Sequence, residues 1–297
     1  MTTDAWRAAG RRPGGAGGTG AMVPAKVRLG AAMGVLVTVV AAVIVLPMVA
    51  ADTDPGAVDY DTVLLPPGPG HLFGTDDGGR DVLIRVALGA RVSLVVAVVC
   101  ALVATVLGTL VGAVAGAAGG LVDAVAMRLV DGVNAVPHLL LGILIVALYR
   151  GSLLAVIASI ALTHWTTVAR IARAQVLSLR TRPYVDAAIS GGASRWTVLT
   201  RHLLPAVLPQ SALAATLLLP HAVWHETALS FLGLGMPPHL PSLGTMVSDS
   251  RDDVLLGAWW TIAAPAGVLV AVTLAVAGLA GWWRDRLVPR RRSELVL

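Results

Sequence analysis

The stretch Asp186-Ala187-Ala188-Ile189-Ser190-Gly191-Gly192, running on through Arg195-Trp196 and Arg201-His202 to Leu203-Leu204-Pro205, decides how this chain is read. It is polar and arginine-rich, yet it lies between two long apolar runs. Its apolar residues Val185, Ile189, Trp196, Leu199 and Leu203 fall close to one face of a helix, and Asp186, Arg195 and Arg201 largely fall elsewhere. Gly191-Gly192 interrupts the pattern, and each glycine costs roughly 1 kcal/mol inside a helix. The expectation is a helix, a turn and a second helix that stops near Pro205. Such a segment is either a docking surface for a soluble partner or an amphipathic helix lying on the bilayer.

The surroundings fix the class. The chain has 297 residues, of which 56% are hydrophobic and only 13% charged. A soluble domain carries about a quarter charged residues, so the deficit, with the long apolar runs, reads as a polytopic all-α membrane protein. A helix crosses the hydrocarbon core with about 20 residues. Six runs qualify: 29–50, 92–116, 130–149, 152–168, 206–228 and 258–283. The third is the weakest, because Asp131, Asn134, Pro137 and His138 crowd its first half. Trp259-Trp260 and Trp282-Trp283 bracket the sixth as interfacial belts do.

Charge sets the expected orientation. Residues 1–28 carry five basic residues, and 165–205 carry six Arg against one acid. The tail after Trp283 adds Arg284, Arg286, Arg290, Arg291 and Arg292. By contrast, 51–81 holds seven Asp against Arg80 alone, and 232–257 holds three Asp against one Arg. The positive-inside rule then puts both termini and the 169–205 loop in the cytoplasm, with 29–283 as one transmembrane domain. Residues 1–28 read as a disordered cytoplasmic tail and 284–297 as a basic cytoplasmic tail. The excess of Arg fits topology control better than nucleic-acid binding. Cys100, the sole cysteine, excludes an internal disulfide and a cysteine-rich metal site.

Other patterns carry weaker signals. Gly108, Gly112, Gly116 and Gly120 recur every four residues, which places them on one helix face and predicts close helix packing, within the subunit or against a partner. His221 and His225-Glu226 are ionisable groups inside the fifth run, so they are candidates for a substrate path. Imidazoles four residues apart share a face, and a metal or chelate contact is conceivable there; pairing near the outer mouth is the plainer reading. Asp76, Asp77, Arg80 and Asp81 either meet an external protein or cap the helix that follows, and structural packing is favoured. Asp123, Arg128 and Asp131 read as a solvated ion pair in an inner loop. Neither glycine-rich stretch, 13–20 or 116–120, contains the Gly-x4-Gly-Lys-Ser/Thr pattern of a phosphate loop, so energy must come from another subunit.

Three blocks resemble one family. Asp186-Ala187-Ala188, then Gly192, then Leu204-Pro205, resembles the EAA loop of ABC importer permeases. His71-Leu72-Phe73-Gly74-Thr75-Asp76-Asp77-Gly78-Gly79-Arg80-Asp81-Val82-Leu83 resembles the segment before the second span in the dipeptide/oligopeptide/nickel permeases. Glu226-Thr227-Ala228-Leu229-Ser230-Phe231-Leu232-Gly233-Leu234-Gly235 is similar to their Ser-Phe-Leu-Gly-Leu-Gly block. The order of the three agrees with that family across about 70–290.

The resemblance implies a type I ABC importer permease fold and the second permease of such a pair. It implies a homologous second permease, two cytoplasmic ATPases that bind ATP and Mg, an extracytoplasmic binding protein, and a cytoplasmic-membrane location. It implies no cofactor, no resident metal and no catalysis in this chain. It places the ATPase-coupling contact on Tyr184, Asp186, Ala187, Ala188, Gly192, Ala193, Arg195, Leu204 and Pro205. Asp186 departs from the usual Glu by one methylene but keeps the charge, and His202 stands where the pattern prefers an apolar residue. Cargo is peptide, nickel or a metal chelate on this reading. An ion-gradient-driven secondary transporter is the competing class, and an intramembrane hydrolase a further one.

Overall fold

The computed structural model describes residues 25–49, 57–237 and 240–287. Those residues form helices joined by short turns: α1 (Ala25–Val49), α2 (Val82–Ala118), α3 (Gly120–Ala135), α4 (His138–Leu148), α5 (Leu153–Leu179), α6 (Pro183–Ser190), α7 (Arg195–Val198), α8 (Leu204–Phe231), α9 (Leu243–Leu255) and α10 (Trp260–Leu287). Five helical segments are long and apolar enough to cross a membrane: α1, α2, α5, α7 through α8, and α10. The sixth crossing is a bent pair.

That bent pair corrects the expected span over 130–149. α3 and α4 meet at an angle of 83° across Val136-Pro137. Proline has no N–H for the helical ladder and pushes the residue before it out of the α region. Val136 is accordingly extended, at φ −92° and ψ 130°. At 11 residues α4 reaches only about 16 Å, too short to span alone. Asp123, Arg128 and Asp131 therefore sit on a helix, α3, and not in a loop. The two acids pair with α5 rather than with Arg128: Arg173 donates to Asp123 through two nitrogens, at 2.5 and 2.6 Å, and Arg170 donates to Asp131 at 2.8 Å.

α2 is the central element. Its 37 residues extend about 55 Å, well over what a ~30 Å hydrocarbon core requires. Asp81 caps its start, accepting from the N–H groups of Leu83 and Ile84 at 2.9 and 3.2 Å. Asp76 is buried and organises the turn before it, accepting from the N–H groups of Gly78 and Arg80 and pairing with Arg85. The acidic block 76–81 is thus spent largely on local structure.

The most extensive helix contact is between α2 and α5, and glycines make it possible. A Cβ on Gly108 would lie 2.4 Å from the Trp165 carbonyl oxygen, one on Gly112 would lie 2.2 Å from that of Ala169, and one on Gly116 would lie 3.0 Å from Val176. The facing helix belongs to the same subunit. Gly120 is not part of this face. α2 ends at Ala118, Gly119 and Gly120 take positive φ to turn the chain into α3, and nothing lies within 4 Å of a Cβ at Gly120. Around this contact, Val96, Cys100, Val156, Ile160 and Val223 form one core cluster and Ala104, Val130, Val168 and Ala214 another. α1 packs on α10 at the periphery and leaves about half of its described apolar side chains exposed.

Candidate functional site

The segment between α5 and α8 projects from one end of the bundle. α6 begins with Pro183 at its first position, where the missing N–H costs nothing. Its only buried residue is Val185, which packs with Ala113 of α2, Val176 of α5, Leu199 and Leu203 of the turn before α8, and Val207 of α8. The end of α6 is a Schellman motif: the Ala193 N–H donates to the Ala188 carbonyl at 3.0 Å and the Gly192 N–H to that of Ile189 at 2.9 Å. That geometry requires a left-handed residue, and Gly192 supplies it at φ +87°. Ser194 then caps the second helix through the Thr197 N–H.

The expected apolar face divides in two. Val185, Leu199 and Leu203 are buried, but Ile189 is 56% and Trp196 70% exposed. The helix–turn–helix pattern put all five on one stripe; the bundle covers α6 only at Val185, so Ile189, one turn further along the same helix, and Trp196, beyond the glycine turn, stay uncovered. Tyr184, Asp186, Ala187 and Arg195 are exposed beside Ile189 and Trp196, and Ala188 and Ala193 are half-buried. The expected stop at Pro205 is also corrected. Residues Leu199–Leu203 form a π turn, in which the Leu204 N–H reaches the Leu199 carbonyl. This turn already departs from the ordinary ladder, so the missing donor of Pro205 is absorbed and the helix continues into α8. Leu204 is half-buried against the Val185 cluster and Pro205 is exposed. His202 is half-buried with its ring 6.3 Å from that of Tyr184, which gives that polar position a packing partner.

The other end of the bundle holds a second Schellman motif. The Leu234 N–H donates to the Leu229 carbonyl at 3.0 Å and the Gly233 N–H to that of Ser230 at 2.9 Å, with Gly233 at φ +73°. The chain then folds back over the end of α8, and Gly244 of α9 lies against it: a Cβ there would sit 2.7 Å from the Thr227 Cα. α9 lies outside the spans. Within it burial pushes the Asp253 carboxyl up to about 6; the negative charges of Asp77, Asp76 and Asp249 add to the effect, and a hydrogen bond from Thr261 opposes it. A cavity of about 950 Å³ opens at this end, bounded by the first turns of α2, the loop after α8 and α9.

His221, His225 and Glu226 do not act as one group. Glu226 is wholly buried, accepting from Ser93 Oγ at 2.9 Å and from Ser230 Oγ at 2.7 Å. It ties α8 to α2 through Ser93, whose Oγ in turn accepts from the Leu243 N–H at the start of α9. His225 turns instead toward His164 of α5, with ring centroids 4.7 Å apart. His221 and His138 lie 6.5 and 5.5 Å from the same ring. Four imidazoles from α4, α5 and α8 thus gather, two of them not marked by the sequence pattern. Their gathering was open to a sequence reader only as polar residues in neighbouring spans. Among the described residues, no three His, Cys, Asp or Glu side chains converge so as to hold a metal ion.

The described residues thus form a bundle of apolar spans with one broken crossing, bearing a short helix hairpin at one end and a charged cavity at the other. Residues 108–293 match the model of the binding-protein-dependent transport system inner membrane component. The chain is 43% identical over 223 residues to the oligopeptide transport system permease protein OppC of Salmonella typhimurium, covering 75% of this chain and 74% of that one. It is 39% identical over 241 residues to a probable peptide ABC transporter permease protein of Sinorhizobium fredii, covering 81% and 82%. It is 37% identical over 228 residues to the dipeptide transport system permease protein DppC of Bacillus subtilis, covering 77% and 71%. The chain belongs to the binding-protein-dependent transport system inner membrane component family. Membership in this ABC permease family does not favour the ion-gradient-driven alternative, and it makes the chain a multi-pass membrane subunit rather than an enzyme.

Proposed function

We propose that this chain is a permease subunit of an ATP-driven importer that carries short peptides across the cytoplasmic membrane. The peptide cargo rests on what the named relatives carry. Arg-rich 165–205 and the basic tails assign the α6 end and both termini to the cytoplasm by the positive-inside rule. The aspartate-rich 51–81 and 232–257 segments then face outward. The chain pairs with a homologous permease, two cytoplasmic ATPases and an external binding protein, and ATP with Mg binds on the ATPases.

One observation carries the coupling role: α6 is anchored by Val185 alone and offers Tyr184, Asp186 and Ile189 outward, with Trp196 of α7 exposed beside them. Exposed apolar side chains beside a charge, on a rigidly capped helix pair, suit insertion into a cleft of a soluble partner. Closure of the ATPases on ATP then moves α6, and with it α5 and α8, between inward- and outward-open states. ATP shifts that equilibrium only because it binds the two states differently. No covalent chemistry falls to this chain.

ATPase activity of the reconstituted complex with its binding protein tests this. In Trp196→Asp and Asp186→Arg, cargo-stimulated hydrolysis and uptake are expected to fall at least tenfold while the unstimulated rate of the ATPases persists. Unchanged stimulation and uptake in both variants removes coupling from this segment and leaves it an interfacial helix. Nickel or a metal chelate, the other cargo that the resemblance implies, gains no support from the four imidazoles around His164, which do not converge as a metal-holding set among the described residues; metal-dependent uptake without peptide-dependent uptake would select it.

A further inference from the structure

The cavity at the end of the bundle opposite α6 has an uneven charge lining. Arg80, Arg85 and Arg91 border it, with Asp249 as the sole acid among its lining residues. Two of the three guanidinium groups are engaged by protein. Arg85 pairs with the buried Asp76 and lies 3.7 Å from Asp249, and Arg80 lies 3.8 Å from Asp76. Arg80 Nε is nevertheless a buried donor with no acceptor. Arg91 is exposed and pairs with no carboxylate among the described residues. Beside it on α2, Val92, Val95 and Val96 add an apolar lining, with Met236 from the loop after α8.

An arginine at the rim of an apolar cavity is a site for an anion that carries apolar bulk. A planar guanidinium with its fork unoccupied matches a carboxylate through two parallel N–H···O bonds. The volume of about 950 Å³ falls in the range of small-molecule pockets and admits a chain of a few residues. The site borders the first turns of α2, at the end that the charge pattern assigns to the outside, where cargo released from an external protein first meets the spans. We propose that this cavity is the entry site for cargo and that Arg91 reads the free C-terminal carboxylate of a short apolar peptide. The inference rests on the peptide-importer reading above and assigns the cargo a chemical handle.

The test compares uptake of one apolar tripeptide as the free acid and as its C-terminal amide. The complete complex is reconstituted in phosphatidylcholine vesicles, which supply no anionic lipid to occupy Arg91. The binding protein is saturated with each peptide, so its own preference cancels between variants. The unsubstituted complex is expected to take up the free acid about tenfold or more faster than the amide, the scale of one lost charge-assisted contact. In Arg91→Gln this preference collapses through a fall in free-acid uptake much larger than any fall in amide uptake, and Arg91→Lys keeps part of it. A preference that survives in Arg91→Gln, an equal fall for both peptides, or no preference in the unsubstituted complex overturns the proposal while leaving the importer intact. Failure of the unsubstituted complex to take up either peptide overturns the peptide-importer reading itself, and this inference with it.

Discussion

Ser93 Oγ donates a 2.9 Å hydrogen bond to the carboxyl of Glu226, 133 residues away, and so fastens α2 to α8 inside the bundle. Each serine on this carboxyl is also an acceptor. Ser93 receives the Leu243 N–H at 3.2 Å and Ser230 the Met236 N–H at 3.3 Å. One carboxyl therefore positions the return loop and the start of α9, which together border the cavity. Removing it strands two buried hydroxyl groups, each worth roughly 1–3 kcal/mol. Glu226→Ala is expected to lower the thermal stability of the detergent-purified subunit well below that of Glu226→Gln, which retains an acceptor and the side-chain volume. Equal losses in the two variants would assign the role to packing alone.

The α2–α5 contact gives a contrast between two glycines. A Cβ at Gly112 meets backbone, the Ala169 carbonyl oxygen at 2.2 Å, which no side-chain rotation relieves. Gly112→Ala is expected to destabilise by about 1–3 kcal/mol through forced separation of the helices. Gly132, in α3, has nothing within 4 Å of its Cβ position. Gly132→Ala is expected to be neutral or to stabilise by up to about 1 kcal/mol, from helix propensity. Thermal unfolding of both variants in one detergent checks the pair, and a Gly112→Ala subunit as stable as the unsubstituted one contradicts the packing account.

Arg173 and Asp123 fix the broken crossing to α5 through a two-pronged contact, half-buried on the arginine side. Such geometry outperforms an ordinary surface pair. A double-mutant cycle with Asp123→Asn and Arg173→Gln is expected to give a coupling of about 1 kcal/mol. Coupling indistinguishable from zero would mean that Pro137 and apolar packing alone hold the bend.

Asp253 makes stability depend on pH. Its carboxyl titrates at about 6 in the fold against 3.8 ordinarily, so between those values the folded chain holds a proton that the unfolded chain has released. Stability from this group is therefore greatest below about pH 4, falls as pH rises toward 6, and is flat above. Asp253→Asn is expected to remove that slope and to stabilise the subunit at pH 7.5, by about 1–2 kcal/mol. Unfolding temperatures measured from pH 4 to 7.5 for both forms check it; identical profiles refute the assignment.

Composition alone determined the class of fold, because burying about 20 apolar residues per crossing in lipid leaves a helix as the only local way to satisfy the backbone. The glycine period marked the close packing of Gly108, Gly112 and Gly116, and the Asp186–Pro205 pattern marked the short helix pair at the end of the bundle, since both are periodicities of a single helix. What the sequence did not decide were matters of three-dimensional neighbourhood. Ile189 and Trp196 were left exposed where Val185, Leu199 and Leu203 were buried, the π turn carried the helix through Pro205, and Pro137 folded one crossing by 83°. His138 and His164 joined His221 and His225, while Glu226 turned away to Ser93, because side chains adjacent in sequence on a helix point about 100° apart. Only tertiary packing chose which neighbour each would meet.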